Sequence, residues 1–459
     1  MRSERTTAAR LAASKFVLGL AIIAALSGAA RAQDAASKLD EYMNAATKLG
    51  KFSGSVLVAQ KGRVLLSKGY GMANYELDVP NTPQTKFRLG SITKQFTAMA
   101  IMQLQEKGLL NIDEPVTKYL PDYPKTGDKF TIRNLLNHTA GVPNLTSFPD
   151  FISTMALASP LDKTVSRFKD KPLDFEPGSK FQYSNSGYVL LAAVIEKVSG
   201  KSYEAFLNEN IFQPLGMKNT GCERNDTVLK NRASGYQKNE DGLSNSQFIH
   251  MTIPVGGGNI YSTVEDLYVW DRALYTEKLV KKSTLEQIFT PFKGSYGFGW
   301  VITTAFNRKL ITHNGGINGF ATDLARFVDD DVFIVLLNNF ENKGPGGLRR
   351  DLSAIVFGEK YEMPAERKAI ALDPKIFDSY AGRYQLVDGP LLKITREGDK
   401  LMAGPEGQEP AQLFPESETK FFLKAVDGQI SFVRDEAGAV TGLIFHNPGG
   451  KNIPGARVK

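Results

Sequence analysis

Within the stretch GSITKQFTA, residues 90–98, a serine and a lysine stand three positions apart where the pattern marks the start of a helix. Three residues is just under one helical turn, so Ser91 and Lys94 would share a face. A serine hydroxyl is a poor nucleophile until a base takes its proton, and a desolvated lysine amine can be that base. The other reading of the pair is a capping serine followed by an ordinary surface lysine, and as an isolated pattern that is far commoner. Other motifs have to decide.

The usual base is histidine. No G-x-S-x-G elbow occurs in the chain, which argues against an α/β-hydrolase. The four histidines (138, 250, 313, 446) are scattered without H-E-x-x-H, and Cys222 is the single cysteine. Neither a metal site nor an internal disulfide is expected, and no cofactor. Two later motifs supply what a serine–lysine pair needs. YSN (183–185) lies just before a helix that starts near residue 187, so Tyr183 and Asn185 can project into a common cleft. HNGG (313–316) ends a strand, and Gly315 and Gly316 let a substrate approach the backbone closely.

In this order the motifs resemble the serine β-lactamase and penicillin-binding superfamily, in its class C-like branch. The resemblance covers about residues 38–358, and LLNHTAGVP, EPGSKFQYSNSGY, IFQPLGMKNT and YGFGW support it. It implies that Ser91 is the acylated nucleophile, Lys94 its general base, and Tyr183 a partner in proton transfer that protonates the leaving group. Asn185 would orient the substrate amide, and His313, Asn314, Gly315 and Gly316 would line the substrate site. The backbone N–H groups of Ser91 and Gly316 would form the oxyanion hole. The departure is His313, where β-lactamases of this branch carry lysine. Histidine there resembles D-aminopeptidases and esterase-like members. The expected function is therefore an acyl-enzyme hydrolase of small amides or esters. A peptidase for D-amino-acid peptides ranks first, a carboxylesterase second and a weak β-lactamase third; an inactive peptidoglycan- or penicillin-binding protein is the non-enzyme alternative.

Four of the first fifteen residues are cationic, the apolar run FVLGLAIIAALSGAA comes next, and ARA precedes Gln33. This reads as a signal peptide cut after Ala32, giving a periplasmic or secreted protein without stable membrane insertion. Residues 1–32 hold five Lys/Arg and one Glu, so the mature charge is +7 − 4 = +3. That is no nucleic-acid footprint. The sequence leaves the oligomeric state open.

The elements that must position these groups read as an α+β layout, an antiparallel sheet flanked by helices with a helical subdomain. SGSVLVAQKGRVLLSKGYG (53–71) reads as a hairpin turning at Lys61-Gly62. Helices are expected over 91–107, 187–200, 262–274 (with a Ser262–Glu265 capping box) and 347–358. Strands are expected over 296–304, 309–316, 319–328 and 332–339. The charged segment 359–374 reads as a linker after a hydrolase domain at 33–358. Short strands at even spacing then predict a small all-β barrel over 375–459, resembling lipocalin-like domains. SGKS (199–202) hints weakly at a phosphate loop, His138 reads as a structural turn residue, VGGGN (255–259) as a cleft lining or a tight turn, and Met99 and Met102 as core.

Overall fold

A computed structural model describes residues 33–239, 242–387, 389–424, 428–446 and 452–458; the segment read as a signal peptide lies outside them. Helix α1 covers residues 33–48. The hairpin follows as β1 (Gly54–Gln60) and β2 (Arg63–Tyr70). Lys61 and Gly62 both take left-handed backbone, φ 50° and 72°. A two-residue connection between right-twisted strands requires that geometry. Helices α2 (Thr93–Glu106), α3 (Asn185–Ser199) and α4 (Val264–Ala273) span the middle of the chain. Strands β3 (Val301–Ala305), β4 (Arg308–Ile317), β5 (Phe320–Phe327) and β6 (Val332–Asn338) then lead to α5 (Gly346–Phe357).

The sheet order is β3-β4-β5-β6-β1-β2, antiparallel throughout, so the first hairpin closes onto the last strand. Gly54 faces Asn338 and Gln60 faces Val332 across that seam. Side chains alternate between two layers, as pleating requires. Val56, Val58, Ile334 and Leu336 pack against Leu39, Met43, Leu348 and Leu352 of α1 and α5. Leu57, Phe333, Val335 and Leu337 pack into the larger core with α2 and α3. The buried Arg326–Asp271 ion pair joins β5 to α4.

Several boundaries differ from expectation, each for a local reason. Residues 90–92 form a 3₁₀ turn and the α-helix starts at Thr93, so Ser91 precedes α2. Thr263 caps α4 by accepting from the Asp266 N–H, which displaces the expected Ser262–Glu265 box. Ser262 instead bonds Thr220, and Glu265 accepts from Gln84. Residues 296–300 are not strand, because the backbone turns at Gly299, φ 78°. SGKS ends α3 with a left-handed Gly200, and Ser202 caps the next short helix, so it is a helix–helix connection.

No helix or strand covers residues 359–373. Beyond them eight strands close a barrel: β7 (Gly382–Leu386), β8 (Leu391–Glu397), β9 (Lys400–Pro405), β10 (Ala411–Pro415), β11 (Lys420–Leu423), β12 (Gln429–Arg434), β13 (Val440–His446) and β14 (Asn452–Val458). Pairing of β7 with β14 completes the ring. Tyr384, Leu401, Leu413, Phe421 and Phe432 fill its interior, as side chains can in an eight-stranded barrel. β10 and β14 contain Pro415, Pro454 and Gly455, residues that strand interiors seldom carry; pairing on both sides of β14 overrides that composition. Among the described residues, no helix is long and apolar enough to cross a membrane.

The first sheet and its two cores are complete before the barrel begins, with Tyr361 packed edge-on against Tyr42 at 6.1 Å. A chain ending after Glu362 is therefore expected to fold alone. It should give a single cooperative thermal transition and native-like near-UV circular dichroism; a non-cooperative melt contradicts this.

Candidate active site

The two ends of the Ser91–Lys94 pair differ in exposure. Ser91 is half-buried, whereas Lys94 is fully buried. The Lys94 Nζ lies 3.0 Å from Ser91 Oγ, 2.9 Å from Asn185 Oδ1 and 2.9 Å from the Gly257 carbonyl oxygen. Burial pulls its pKa from the usual lysine range down to about 7. In the neutral amine, two N–H bonds serve the pure acceptors Asn185 Oδ1 and Gly257 O. The lone pair is then left for the Ser91 O–H, which donates to it. When protonated, the ammonium can donate to all three oxygens. The site accommodates either state at neutral pH without moving a side chain.

α3 delivers Asn185 from its first turn, and its amide nitrogen donates to Thr146 Oγ1 at 3.2 Å, which fixes the oxygen toward Lys94. Tyr183 lies just before that helix. Lys94 Nζ sits 4.8 Å from the Tyr183 ring centre and 5.5 Å from that of Tyr188. The Tyr183 hydroxyl is enclosed, and no described group meets it in full hydrogen-bond geometry. Burial raises its pKa, and the neighbouring Ser91 hydroxyl offsets part of that rise. The phenol therefore stays protonated at neutral pH.

His313 is buried on β4. Its Nδ1 lies 2.6 Å from the Asn314 carbonyl, which only accepts, so Nδ1 carries the proton. Nε2 of the neutral ring then accepts from the Tyr296 hydroxyl at 2.8 Å. Burial, helped by the charge on Lys94, lowers the His313 pKa to about 4. The position that would hold a permanent cation in a lysine-bearing relative is thus uncharged at pH 7.

The glycines of HNGG are matters of clearance. A Cβ on Gly315 would fall 2.0 Å from the Leu89 carbonyl oxygen, and one on Gly90 would fall 2.8 Å from the Gly316 nitrogen. These contacts bring the backbone of Ser91 and that of Gly316 to one edge of the cleft. Gly316 itself has open space before it. Asn314 differs from the other three motif residues. It pairs across the sheet with Asp323, which is bound to Arg349 of α5 in the opposite layer. The structure thus brings Ser91, Lys94, Tyr183, Asn185, His313, Gly315 and Gly316 together and turns the Asn314 side chain away from them.

Two site groups exceed what the motifs indicate. The glycine run at 255–259 supplies the Gly257 oxygen to Lys94, while Gly257 and Gly258 N–H both donate to Pro254 O, so it is a tight turn and a cleft wall at once. His138 has φ 58°, as a turn residue would, yet is buried with its ring 4.2 Å from that of Tyr183. Its Nδ1 accepts from the Ser184 N–H at 3.2 Å, which leaves the proton on Nε2, facing the aromatic cluster with no hydrogen-bond partner among the described residues.

Comparison with known proteins agrees with this geometry. The Beta-lactamase family model matches residues 36–356. The chain belongs to the beta-lactamase and penicillin-binding serine hydrolase superfamily. It is 32% identical over 425 residues to Penicillin-binding protein 4* of Bacillus subtilis (strain 168), covering 86% of this chain and 93% of that one. It is 30% identical over 307 residues to the teichoic acid D-alanine hydrolase of Staphylococcus aureus, covering 66% and 73%. The D-amino acid amidase of Ochrobactrum anthropi SV3 superposes with a TM-score of 0.63 at 25% identity, over 70% of this chain and 99% of its own. A separate model, a domain of unknown function (DUF3471), matches residues 366–457, which hold the barrel.

Gly90 presents two obstacles to a side chain, a φ of 55° and a Cβ position 2.8 Å from the Gly316 nitrogen. Gly90→Ala should lower kcat/KM about 100-fold by displacing the nucleophile's backbone about 1 Å from the HNGG strand. Steady-state kinetics with any turned-over ester checks this, and near-normal kcat/KM refutes it.

Proposed function

We propose that this serine hydrolase is of the Ser-Lys-Tyr type and cleaves amide bonds of D-amino-acid compounds through an acyl-enzyme on Ser91. The observation that carries the reading is a fully buried lysine amine whose other acceptors among the described residues, Asn185 Oδ1 and the Gly257 carbonyl, leave its lone pair for the Ser91 hydroxyl. As Oγ attacks the carbonyl carbon, its proton passes to Lys94. The developing oxyanion is met by the N–H groups of Ser91 and Gly316, an arrangement that stabilises charge only as it forms. Lys94 returns the proton through the Tyr183 hydroxyl, which gives its own to the departing nitrogen. Water then attacks the ester with Lys94 as base again, releasing the acid and restoring Ser91.

The D-amino-acid preference is supported by the relatives, one a D-alanine hydrolase and one a D-amino acid amidase by name. Neutral His313 supports an uncharged amide or ester over a substrate that needs a carboxylate docked there. An esterase is the second reading on the same ground. A pure binding protein has no use for a desolvated lysine beside a serine, because that burial lowers stability. The leader-like segment 1–32 supports action outside the cytoplasm.

Labelled penicillin or a fluorophosphonate should modify Ser91, located by peptide mass spectrometry. The adduct rate should rise from about pH 6 to about pH 8 as Lys94 loses its proton. A flat profile, or an adduct elsewhere, overturns the assignment. Lys94→Met should abolish acylation yet raise the melting temperature. Between pH 7 and the ordinary lysine range the unfolded chain binds a proton there that the folded chain does not, so the native amine costs stability at neutral pH.

His313→Lys restores a cation at the motif. The kcat/KM ratio of a carboxylate-bearing substrate to a neutral ester should increase, since that ratio reports differential transition-state binding. An unchanged ratio would show that substrate carboxylates dock elsewhere.

A further inference from the structure

Tyr183 stands on a stretch without regular structure, since residues 167–184 carry no helix or strand. Packing from elsewhere must therefore fix a phenol that has to pass a proton within hydrogen-bond reach. Residues 138–142 run alongside and brace the stretch. The Gly178 N–H donates to the Thr139 carbonyl at 2.8 Å, the Asp174 N–H to that of Gly141 at 2.8 Å, and the Ser184 hydroxyl to that of Val142 at 2.9 Å. The two bonds that bracket Tyr183 itself both end on one residue. The Gln182 N–H donates to the His138 carbonyl at 2.9 Å, and the Ser184 N–H to His138 Nδ1 at 3.2 Å.

His138 carries two structural penalties. It follows the C-cap of the short helix Ile132–Leu136 in left-handed backbone, φ 58°, a place that glycine or asparagine fills with less strain. Its ring is buried, and the Nε2–H of the neutral form meets no hydrogen-bond acceptor among the described residues. The ring lies against aromatic neighbours instead, with centres 4.2 Å away for Tyr183, 4.7 Å for Tyr296 and 5.2 Å for Tyr188. A strained backbone and an unmet N–H together mark a residue that does more than make the turn. Nδ1 can accept from Ser184 only while it carries no proton. Burial, aided by the neighbouring Lys94 and His313, holds the His138 pKa well below the ordinary histidine value, so the ring keeps that bond at neutral pH.

We propose that His138 is a positioning residue for Tyr183: it grips the backbone on both sides of that residue and packs its ring on the phenol, setting the hydroxyl where the leaving group takes its proton. The proposal rests on the proton-transfer role given to Tyr183 above. The imidazole itself exchanges no proton. A residue that acts through the phenol matters most where the leaving group needs a proton, and least where it departs as a stable anion. Benzyl and p-nitrophenyl esters of one acid share the acyl group and differ in that respect, because p-nitrophenolate is a stable anion and the benzyl alkoxide is not. A loss of general packing slows both esters alike, whereas a misplaced phenol slows the benzyl ester more.

Steady-state kinetics of the full chain with benzyl butyrate and p-nitrophenyl butyrate, read as the ratio of their kcat/KM values, tests this. Tyr183→Phe should lower the benzyl to p-nitrophenyl ratio about 100-fold, the scale of general acid catalysis. His138→Gln, which fills the site without an acceptor at the Nδ1 position, should lower the ratio about tenfold. His138→Asn, which suits left-handed backbone and puts an oxygen close to the Nδ1 position, should restore the ratio to within about threefold of wild type. In the Tyr183→Phe background, His138→Gln should leave the ratio within about twofold, because no phenol is left to position. Equal losses on both esters, or a His138→Gln effect on the ratio that persists without the phenol, overturn the proposal. If Tyr183→Phe leaves the ratio unchanged, the role of the phenol fails and the proposal with it; if only His138→Gln leaves it unchanged, the proposal alone fails. If the Gln variant does not fold, the tautomer of the wild-type ring keeps the question open to test. NMR of nitrogen-labelled histidine should find His138 Nδ1 bare and Nε2 protonated at neutral pH, and a protonated Nδ1 overturns the proposal.

Discussion

A lysine amine sealed from water, with no carboxylate beside it, is the constraint on which the rest of this structure depends. An uncompensated buried ammonium is costly, and the molecule meets that cost by letting the group release its proton near pH 7. A carboxylate partner in place of Asn185 or Gly257 O would have held the amine charged and made it useless as a base. The acceptors chosen are neutral, so they orient the amine without fixing its protonation state.

The second constraint is steric. The nucleophile's turn and the HNGG strand approach so closely that neither Gly90 nor Gly315 has room for a Cβ. Thr322 reinforces the seam by donating its hydroxyl to the Leu89 carbonyl at 2.8 Å. Sheet and helices thereby meet at backbone level, with Lys94 on α2, Asn185 on α3 and His313 on β4, and with Ser91 and Tyr183 on the segments that lead into the two helices. His313 belongs to the same economy of charge. With one ring nitrogen on a carbonyl and the other taking the Tyr296 proton, it remains neutral and leaves Lys94 as the only titrating cation among these site residues.

Much of this was legible in the chain. The spacing of Ser91 and Lys94, the YSN and HNGG motifs and their order pointed to the superfamily, and hydrophobic alternation located β1, β4, β5 and β6 within a residue or two. The Lys61-Gly62 turn was readable because only left-handed residues close so short a connection. Helix starts were less readable. Ser262 and Glu265 formed a plausible capping box, but Ser262 is committed to Thr220 and only Thr263 is free to cap. Two barrel strands were hidden by prolines and glycines whose pairing depends on partners far along the chain.

What the sequence by itself determined was the candidate set, a serine, a lysine and a phenol, because these are chemical types that sit in short local motifs. Tertiary structure alone decided their states. Whether Lys94 is a base depends on water being excluded by α3 and the 255–259 turn, more than 90 residues away. Whether His313 is a cation depends on burial beneath Tyr296. Whether Asn314 faces the substrate depends on the pleat of β4, which sends it to the opposite layer. Desolvation and strand facing arise only when distant segments pack, so no local pattern could have recorded them.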